Sequence, residues 1–219
     1  MPQSFDASSD AITPQIRAEK QALREQMKAL RAGISAEQYQ AFSAAIAERV
    51  LRLPEMQAAG VIHLFSAMEA RREPATRQIT ETLQAQGKQV VMPVMQWEER
   101  QLYHVALSPE TPLMRNKWGI LEPPLPPLDK KSVSGPAGAR LVTPETLDVV
   151  LVPLLAGDLK GNRLGYGKGF YDRFLHQLRP DARCFGLLYE ASLFEKIPAE
   201  LHDRPLDGFV TEKRALRIG

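Results

Sequence analysis

A glycine-rich segment with charged residues inside it spans residues 161–173, where the chain reads Gly-Asn-Arg-Leu-Gly-Tyr-Gly-Lys-Gly-Phe-Tyr-Asp-Arg. Glycine lacks a Cβ, so backbone N–H groups can approach a ligand closely and positive φ angles cost little. A loop of this kind, with Arg163 and Lys168 in it, is suited to holding phosphate oxygens. Asp172 adds a carboxylate of the type that holds Mg²⁺ beside bound phosphates. This glycine segment therefore indicates nucleotide chemistry.

The spacing of the glycine segment excludes the two commonest phosphate-binding motifs. A Walker A loop needs G-x-x-x-x-G-K-[ST], but Asn162 stands at the first glycine position and Gly169 replaces the hydroxyl residue. The dinucleotide fingerprint G-x-G-x-x-G also fails, because the glycines at 165, 167 and 169 are spaced by twos. With the hydroxyl absent, a metal ion needs another ligand. The remaining alternative is a glycine-rich surface turn, which Arg163 and Lys168 inside the segment disfavour.

The composition indicates an ordinary globular protein. The 219 residues suffice for one domain, which we predict over 13–219, after a flexible tail at 1–12. With 28 basic and 26 acidic residues the net charge is +2, too balanced to indicate a nucleic-acid partner. The single cysteine, Cys184, excludes an internal disulfide framework, and its apolar neighbours predict a buried thiol in a reducing compartment.

The N-terminal residues lack the basic and apolar regions of a signal peptide, and no apolar run is long enough to span a bilayer. These features predict a cytoplasmic protein with no membrane partner. The simplest oligomeric state is a monomer.

The elements that must position the glycine segment alternate between helices and strands. Thr13-Pro14 predicts the start of a first helix that Gly33 ends, and Ser35 with Gln38 forms a capping box for a second. The hydrophobic patterns then predict strands at 60–65, 88–94, 101–107, 147–155, 183–189 and 208–211, with helices at 74–86 and 170–178.

This alternation predicts an α/β fold: a three-layer, open, mostly parallel sheet with helices on both faces, Rossmann-like in architecture. The stretch 147–155 is the most apolar and is predicted to be a central parallel strand, which the glycine segment follows directly. Ligands of such sheets bind at the carboxyl ends of the strands, so we expect the segment at that edge. Residues 122–144 hold six prolines and predict a loop.

The glycine segment resembles the signature of the 5-formyltetrahydrofolate cyclo-ligase family, the methenyltetrahydrofolate synthetases, which reads approximately R-L-G-x-G-x-G-Y-Y-D-R. Shorter pieces agree in chain order over about residues 15–213: K-x-x-L-R at 20–24, E-x-x-T at 73–76, G-I-x-E-P at 119–123, the strand at 147–153, H-D at 202–203 and T-E at 211–212. Phe170 departs from the first tyrosine of the signature, so any hydroxyl role there is lost or passes to Tyr171.

The resemblance implies an enzyme that converts 5-formyltetrahydrofolate and ATP, with Mg²⁺, to 5,10-methenyltetrahydrofolate, ADP and phosphate. It also implies the architecture that phosphosugar isomerases and CoA transferases share. The implied ATP-binding residues are Lys20, Arg24, Gly161, Asn162, Arg163, Leu164, Gly165, Tyr166, Gly167, Lys168, Gly169, Phe170, Tyr171 and Asp172. Within that set, the implied catalytic residues are Arg163, Lys168 and Tyr171.

The resemblance also implies a folate site and a metal site. Glu73, in preference to Glu69, is implied to accept hydrogen bonds from the pterin N–H groups. The residues implied to pack against the folate rings are Met68, Trp118, Phe170 and Tyr171, and those implied to bind Mg²⁺ are Asp172 and Asp203.

Each of these residues has a plainer interpretation. Lys20 and Arg24 alone are typical of a solvated helix face, and Trp118 of core or interface. Asp203 is compatible with a turn or helix cap, Glu73 with a charge in the first turn of a helix, and His202 with a structural role.

Two other functions fit parts of the sequence. One is a non-catalytic regulator that binds nucleotide or folate, and the other is a phosphosugar isomerase or acyl-CoA-transferase relative. Retention of Arg163, Lys168 and both carboxylates favours catalysis over binding alone. The glycine segment contains no evident enediol base, which argues against an isomerase.

Overall fold

The computed structural model describes residues 13–126, 139–200 and 203–218. The predictions for the tail at 1–12 and for His202 lie outside the described residues, as does the stretch 127–138 of the proline-rich loop.

The four predicted helices are present at their predicted positions but are shorter at several ends, and the short helix at 54–58 was not predicted. They are α1 (Thr13–Ala32), α2 (Ala36–Leu51), α3 (Pro54–Ala58), α4 (Arg77–Ala85) and α5 (Phe170–Leu175). The capping box at the start of α2 is confirmed, since Ser35 accepts from the Gln38 N–H and the Gln38 side chain accepts from the Ser35 N–H. Glu73 precedes α4 by four positions, so its interpretation as a first-turn charge is wrong.

The strands of the described residues form one large sheet and two small ones. They are β1 (Val61–His63), β2 (Gln89–Gln96), β3 (Gln101–Ala106), β4 (Met114–Arg115), β5 (Leu121–Glu122), β6 (Arg140–Val142), β7 (Val149–Pro153), β8 (Ala156–Asp158), β9 (Arg163–Leu164), β10 (Arg183–Leu187), β11 (Leu193–Phe194), β12 (Gly208–Val210) and β13 (Ala215–Arg217). The eight-stranded sheet has the order β13-β12-β10-β7-β1-β2-β3-β6. Strands β12, β10, β7, β1 and β2 run parallel, and β13, β3 and β6 pair antiparallel at the two edges.

Alternating side chains of β7 divide the core between the two faces of this sheet. Val149 and Leu151 join a buried cluster with apolar residues of α2, α3 and α4, whereas Val150 and Val152 join a second cluster with those of α5. Because β7 is covered on both faces, it is apolar throughout, which is typical of a central parallel strand. The predicted three-layer α/β architecture is confirmed.

The glycine segment does not follow β7 directly, as the sequence predicted. Strand β8 lies between them. It pairs antiparallel with β9, which is formed by the start of the glycine segment. The buried Asp158 makes this reversal possible, because its carboxylate accepts from the N–H groups of Lys160, Asn162 and Ile197. Helix α1 packs on this small sheet through the cluster Met27, Leu155, Ala156, Leu164 and Ile197.

The structure also bears on the predictions for Cys184 and for membrane-spanning segments. Cys184 is 1% exposed, and burial raises the pKa of its thiol to about 12, which confirms the buried, unreactive cysteine. Across the described ranges, every helix is too short or too polar to cross a lipid bilayer.

Candidate active site

A cavity of about 460 Å³ opens at the carboxyl ends of the central parallel strands. Its wall includes Phe65 and Met68, which follow β1, Pro153 at the end of β7, and Met95 and Trp97 at the end of β2. The glycine segment closes the opposite part of the wall. The volume lies within the range of small-molecule sites in proteins, and the cavity stands at the edge of the sheet where ligands of this fold class bind.

Most of the residues that the sequence singled out line this cavity. They are Lys20, Arg24, Met68, Glu73, Trp118, Arg163, Leu164, Gly165, Tyr166, Gly167, Lys168, Gly169, Phe170, Tyr171, Asp172 and Asp203.

Gly161 and Asn162 do not line the cavity, because they build the turn between β8 and β9. The Asn162 side chain donates to the Asp158 carboxylate at 2.9 Å, and the Gly161 carbonyl accepts from the Leu206 N–H at 2.9 Å. Gly161 has a φ of 85°, and a Cβ there would lie 2.6 Å from the Leu206 carbonyl oxygen. Gly161 and Asn162 therefore belong to the glycine segment because they build the turn that positions the loop. From the sequence alone, this structural role cannot be told apart from a contact with phosphate.

Replacing Gly161 with alanine is expected to lower stability by about 3 kcal/mol or more, because a left-handed residue and a backbone clash combine. Gly87→Ala is the matched control: Gly87 has a φ of 74° with no atom within 4 Å of the added Cβ. That variant is expected to lose only about 1 kcal/mol. Chemical denaturation of both proteins measures the difference. Equal losses would contradict the proposed packing role of Gly161.

A basic group of side chains faces the cavity from α1 and from the glycine segment. Lys20 is only 8% exposed, and its ammonium lies 2.8 Å from Asp203 and 3.0 Å from Glu200. Its interpretation as part of a solvated helix face is therefore wrong. Arg24 donates to the Gly165 carbonyl at 3.0 Å and packs against Gly167 so closely that a Cβ there would lie 3.1 Å from the guanidinium carbon.

The other two cations differ in burial. Arg163 is 7% exposed and donates to the Asp172 carboxylate and the Arg204 carbonyl. Lys168 is exposed at the tip of the loop, and its ammonium makes no hydrogen bond or ion pair within the described residues. One cation is thus fixed in place, and one is available to a ligand.

The two carboxylates predicted to hold Mg²⁺ both line the cavity and both contact cations. Asp172, in the first turn of α5, pairs with Arg163 and keeps 44% of its side chain exposed. Asp203 accepts from Lys20 and from the Glu200 N–H, so it also serves the turn that the alternative interpretation assigned to it. Burial raises the pKa of Asp203, but the hydrogen bonds from Lys20 and the Glu200 N–H and the charge of Arg163 outweigh it and bring the pKa below its ordinary value.

These carboxylates fit a metal that is held mainly by phosphates. Among the described residues, no group of three or more acidic, histidine or cysteine side chains could enclose a metal ion. Mg²⁺ in nucleotide sites usually takes one or two carboxylates together with phosphate oxygens and water. The exposed oxygen-donor side chain of Asp172 meets that requirement.

An aromatic wall lies next to the basic group. Trp97 and Trp118 stack with ring centroids 3.7 Å apart, and Phe170 meets Trp97 edge-on at 5.1 Å. Trp118 comes from the connection between β4 and β5, keeps 38% of its surface exposed, and carries the Lys117 ammonium 4.2 Å from its ring. A flat aromatic ligand can pack against such surfaces. The stack supports both interpretations of Trp118, since the residue packs on another aromatic ring and also faces the cavity.

Tyr171 lines the cavity, and its hydroxyl is buried within electrostatic range of Glu73. The hydroxyl oxygen is inaccessible to solvent and has no hydrogen-bond partner within the described residues. Burial raises the pKa of this hydroxyl well above its ordinary range. Its ring lies 6.3 Å from that of the buried His63. The catalytic role that the resemblance implied for Tyr171 stays a prediction.

Glu73 is the acidic group of the cavity, with only 3% of its surface exposed. Its carboxylate accepts from the Met68 N–H at 2.7 Å and from the Tyr166 hydroxyl at 2.6 Å. Burial raises the pKa of Glu73, although these hydrogen bonds and the charges of Arg31 and Arg71 oppose that shift. Glu69, the alternative, is exposed and does not line the cavity.

Several residues of the site were missed in the sequence, among them Arg71 and Trp97 on the cavity wall and Arg31, which contacts Tyr166. Arg31 lies seven positions after Arg24 in α1, so helical spacing places both on one face and was an available signal. Trp97 follows the carboxyl end of β2 and so meets the rule for ligand sites in this fold. Arg71 belongs to a short 3₁₀ turn whose position no periodic pattern reveals.

Comparisons with known proteins agree with one another. The sequence model described as the 5-formyltetrahydrofolate cyclo-ligase family matches residues 16–212. The chain is 32% identical to a 5-formyltetrahydrofolate cyclo-ligase of Haemophilus influenzae, over 85% of this chain and 94% of the relative. It is 30% identical to the Escherichia coli protein of the same name, over 84% and 95%. The solved structure of 5,10-methenyltetrahydrofolate synthetase from Aquifex aeolicus superimposes with a TM-score of 0.74 at 28% identity, covering 91% of this chain and 92% of that one.

Proposed function

The chain belongs to the 5-formyltetrahydrofolate cyclo-ligase family and is an enzyme with that activity, and from this premise we propose that the cavity holds ATP and the reduced folate side by side. The observation that carries the proposal is the composition of a single cavity: basic side chains on a glycine-rich loop, an aromatic wall, and a buried carboxylate between two hydrogen-bond donors.

The proposed reaction has two steps. The formyl oxygen attacks the γ-phosphorus of ATP, the bond to the bridging oxygen breaks, and ADP leaves. The formyl carbon then carries a phosphate in place of a poor leaving group. The second folate nitrogen attacks that carbon with its lone pair and loses its proton, the carbon–oxygen bond breaks, and phosphate leaves with the electron pair. The ring of 5,10-methenyltetrahydrofolate closes in this step.

Both steps need positioning and charge neutralisation more than acid–base chemistry. We assign Lys168 to the γ-phosphoryl group, since it is the exposed cation of the loop, and Arg163 to the same phosphate from a fixed position. Lys20 and Arg24 supply further positive charge from α1, and the N–H groups of residues 164–169 complete the cradle. Gly161 and Asn162 serve the turn, in place of the ligand contacts that the resemblance implied.

For the folate, we assign Glu73 to the pterin and the aromatic wall to its rings. A carboxylate accepts two parallel hydrogen bonds from a 2-aminopyrimidinone edge, and burial strengthens such bonds. Trp118, Phe170 and Met68 offer flat or adaptable apolar surfaces beside it.

Mg²⁺, when bound, would neutralise phosphate charge, and Asp172 is the residue we propose to hold it, with Asp203 as a second donor. The chain's own residues prepare that site, because Arg163 keeps the Asp172 carboxylate turned toward the cavity wall. We further propose that residues 13–219 act as a single domain and as a monomer, which is supported by a cavity whose basic, aromatic and acidic parts come from one chain. The buried free thiol of Cys184 is compatible with the reducing cytoplasm that we propose as the location of the protein.

The test is direct. Purified protein is mixed with 5-formyltetrahydrofolate and MgATP at mildly acidic pH, and the near-ultraviolet absorbance of the methenyl product is followed together with ADP. We expect one ADP for each folate converted, and no product when ATP is omitted. Methenyl product without ADP formation, or ADP without methenyl product, would contradict the two-step proposal.

A further inference from the structure

A chain of hydrogen bonds runs through the protein from α1 to Glu73. The Arg31 guanidinium donates to the Tyr166 hydroxyl at 3.0 Å, and that hydroxyl donates to the Glu73 carboxylate at 2.6 Å. Arg31 is 2% exposed and also donates to the Leu154 carbonyl, just beyond β7. Arg71 lies over the Tyr166 ring, 5.4 Å from its centroid. A tyrosine of the glycine segment is thus held between a fixed arginine and the acidic group of the cavity.

We propose that Tyr166 and Arg31 are positioning residues: they fix the Glu73 carboxylate for the folate and couple its placement to the state of the nucleotide-binding loop. This inference rests on the folate role proposed for Glu73. The family signature allows any residue at position 166, where this chain has a tyrosine. The proposed coupling therefore depends on the tyrosine of this chain and is not implied by the signature.

The coupling follows from where Tyr166 sits. Its neighbours Gly165 and Gly167 both contact Arg24, and Lys168 follows two positions later at the cavity. A nucleotide that orders these residues also orders the Tyr166 hydroxyl, and through it one oxygen of Glu73. Coupling of this kind is reciprocal, so nucleotide and folate raise each other's affinity by the same factor.

The groups around Glu73 determine how its pKa changes when the Tyr166 hydroxyl is removed. The groups that face it are Tyr166 and Arg31, Arg71 from the 3₁₀ turn after β1, and the buried hydroxyls of Tyr39 and Tyr171. The Tyr166 hydroxyl and the two arginines favour the carboxylate, whereas burial favours the neutral acid. Removing the hydroxyl therefore raises the pKa of Glu73 further. Because the carboxylate is the form that accepts two pterin hydrogen bonds, the acid limb of folate use must move to higher pH.

The experiment compares wild-type protein with Tyr166→Phe, and with Tyr103→Phe as the control. Tyr103 lies on β3 and does not line the cavity, and its hydroxyl donates to the Glu99 carboxylate at 3.4 Å. Affinity for 5-formyltetrahydrofolate is measured by calorimetry with and without a non-hydrolysable ATP analogue, and kcat/KM for the folate is measured across pH. We expect Tyr166→Phe to weaken folate binding about tenfold, as for loss of a hydrogen bond to a charged group, with a smaller change in kcat.

Two readouts separate positioning from a merely structural role. Tyr166→Phe is expected to lose the increase in folate affinity that the nucleotide analogue produces, and to shift the acid limb to higher pH. A lower melting temperature with both readouts unchanged would overturn the inference. If the wild-type protein itself fails to bind the folate, the proposed function fails first, and the two failures are therefore distinguishable.

Discussion

Replacing Lys168 with alanine is expected to reduce kcat by roughly 100- to 1,000-fold, the loss typical of removing one charge-stabilising group from a transition state, while the melting temperature stays unchanged. The ammonium lies at an exposed loop tip on the cavity wall, with no hydrogen bond or ion pair to the other described residues. Its loss therefore removes positive charge from the transferring phosphoryl group without breaking a contact of the folded protein.

Lys160→Ala is the matched control, since Lys160 is an exposed lysine at the edge of the same segment and outside the cavity wall. It should leave both kcat and the melting temperature as they are. Steady-state kinetics and thermal unfolding of the two variants decide the matter. Loss of folding together with activity in Lys168→Ala would make this lysine structural and remove it from the proposed chemistry.

Arg163 makes an instructive contrast with Lys168. It is buried, and it holds both Asp172 and the Arg204 carbonyl. Its truncation would remove a buried side chain together with its bonds to Asp172 and the Arg204 carbonyl, which costs stability as well as function. A variant of Arg163 cannot separate the two roles, whereas Lys168 can.

Replacing Glu73 with glutamine is expected to lower kcat/KM for the folate about 100-fold, because a neutral amide loses two charge-assisted hydrogen bonds to the pterin. The KM for ATP should change little. The glutamine can accept from only one of the two donors that contact Glu73, which lowers stability at every pH. A second, pH-dependent effect has the opposite sign, because the pKa of Glu73 is raised mainly by burial. A raised pKa means that the protonated form is preferred in the folded state, so the ionised carboxylate costs stability at about pH 7.

This pH-dependent gain of Glu73→Gln over the wild type should therefore be full at neutral pH, shrink as the pH falls below the raised pKa, and vanish below the ordinary glutamate pKa. Glu69→Gln is the matched control, because Glu69 is exposed on the neighbouring 3₁₀ turn. It should leave folate use unchanged. If Glu69→Gln loses folate use and Glu73→Gln keeps it, the assignment of the folate carboxylate is wrong.

The sequence predicted those parts of the fold in which a local residue pattern directly reflects the structure. The capping box at Ser35 and the apolar run of β7 carry their own signals, since a cap needs a particular side chain and a strand buried on both faces is apolar throughout. The reversal between β8 and β9 carried no such signal. Its turn depends on the buried carboxylate of Asp158, and its glycine is hidden among glycines that serve the cavity.

The site was predictable to the extent that its residues share a short segment. Lys168, Asp172 and Tyr166 lie together in the chain, so one motif names them. The partners that fix them come from distant parts of the chain: Arg31 from α1 and Trp97 from the end of β2. Helical spacing and position after a strand could have pointed to these two residues, but the contacts themselves arise from packing between distant segments, which no local pattern specifies.

The ion pairs that line the cavity affect which anions can bind there. Lys20 is already matched by Asp203 and Glu200, and Arg163 by Asp172. An incoming anion must therefore displace a carboxylate to reach these cations, and the displaced carboxylate then needs a new positive partner. Inorganic phosphate alone brings none, and without breaking an ion pair it can reach only cations such as Lys168 and Arg24, which make no ion pair within the described residues. If the nucleotide carries Mg²⁺, as proposed above, the metal supplies the new positive partner, and we therefore expect metal-bound nucleotide to bind the cavity more tightly than free phosphate.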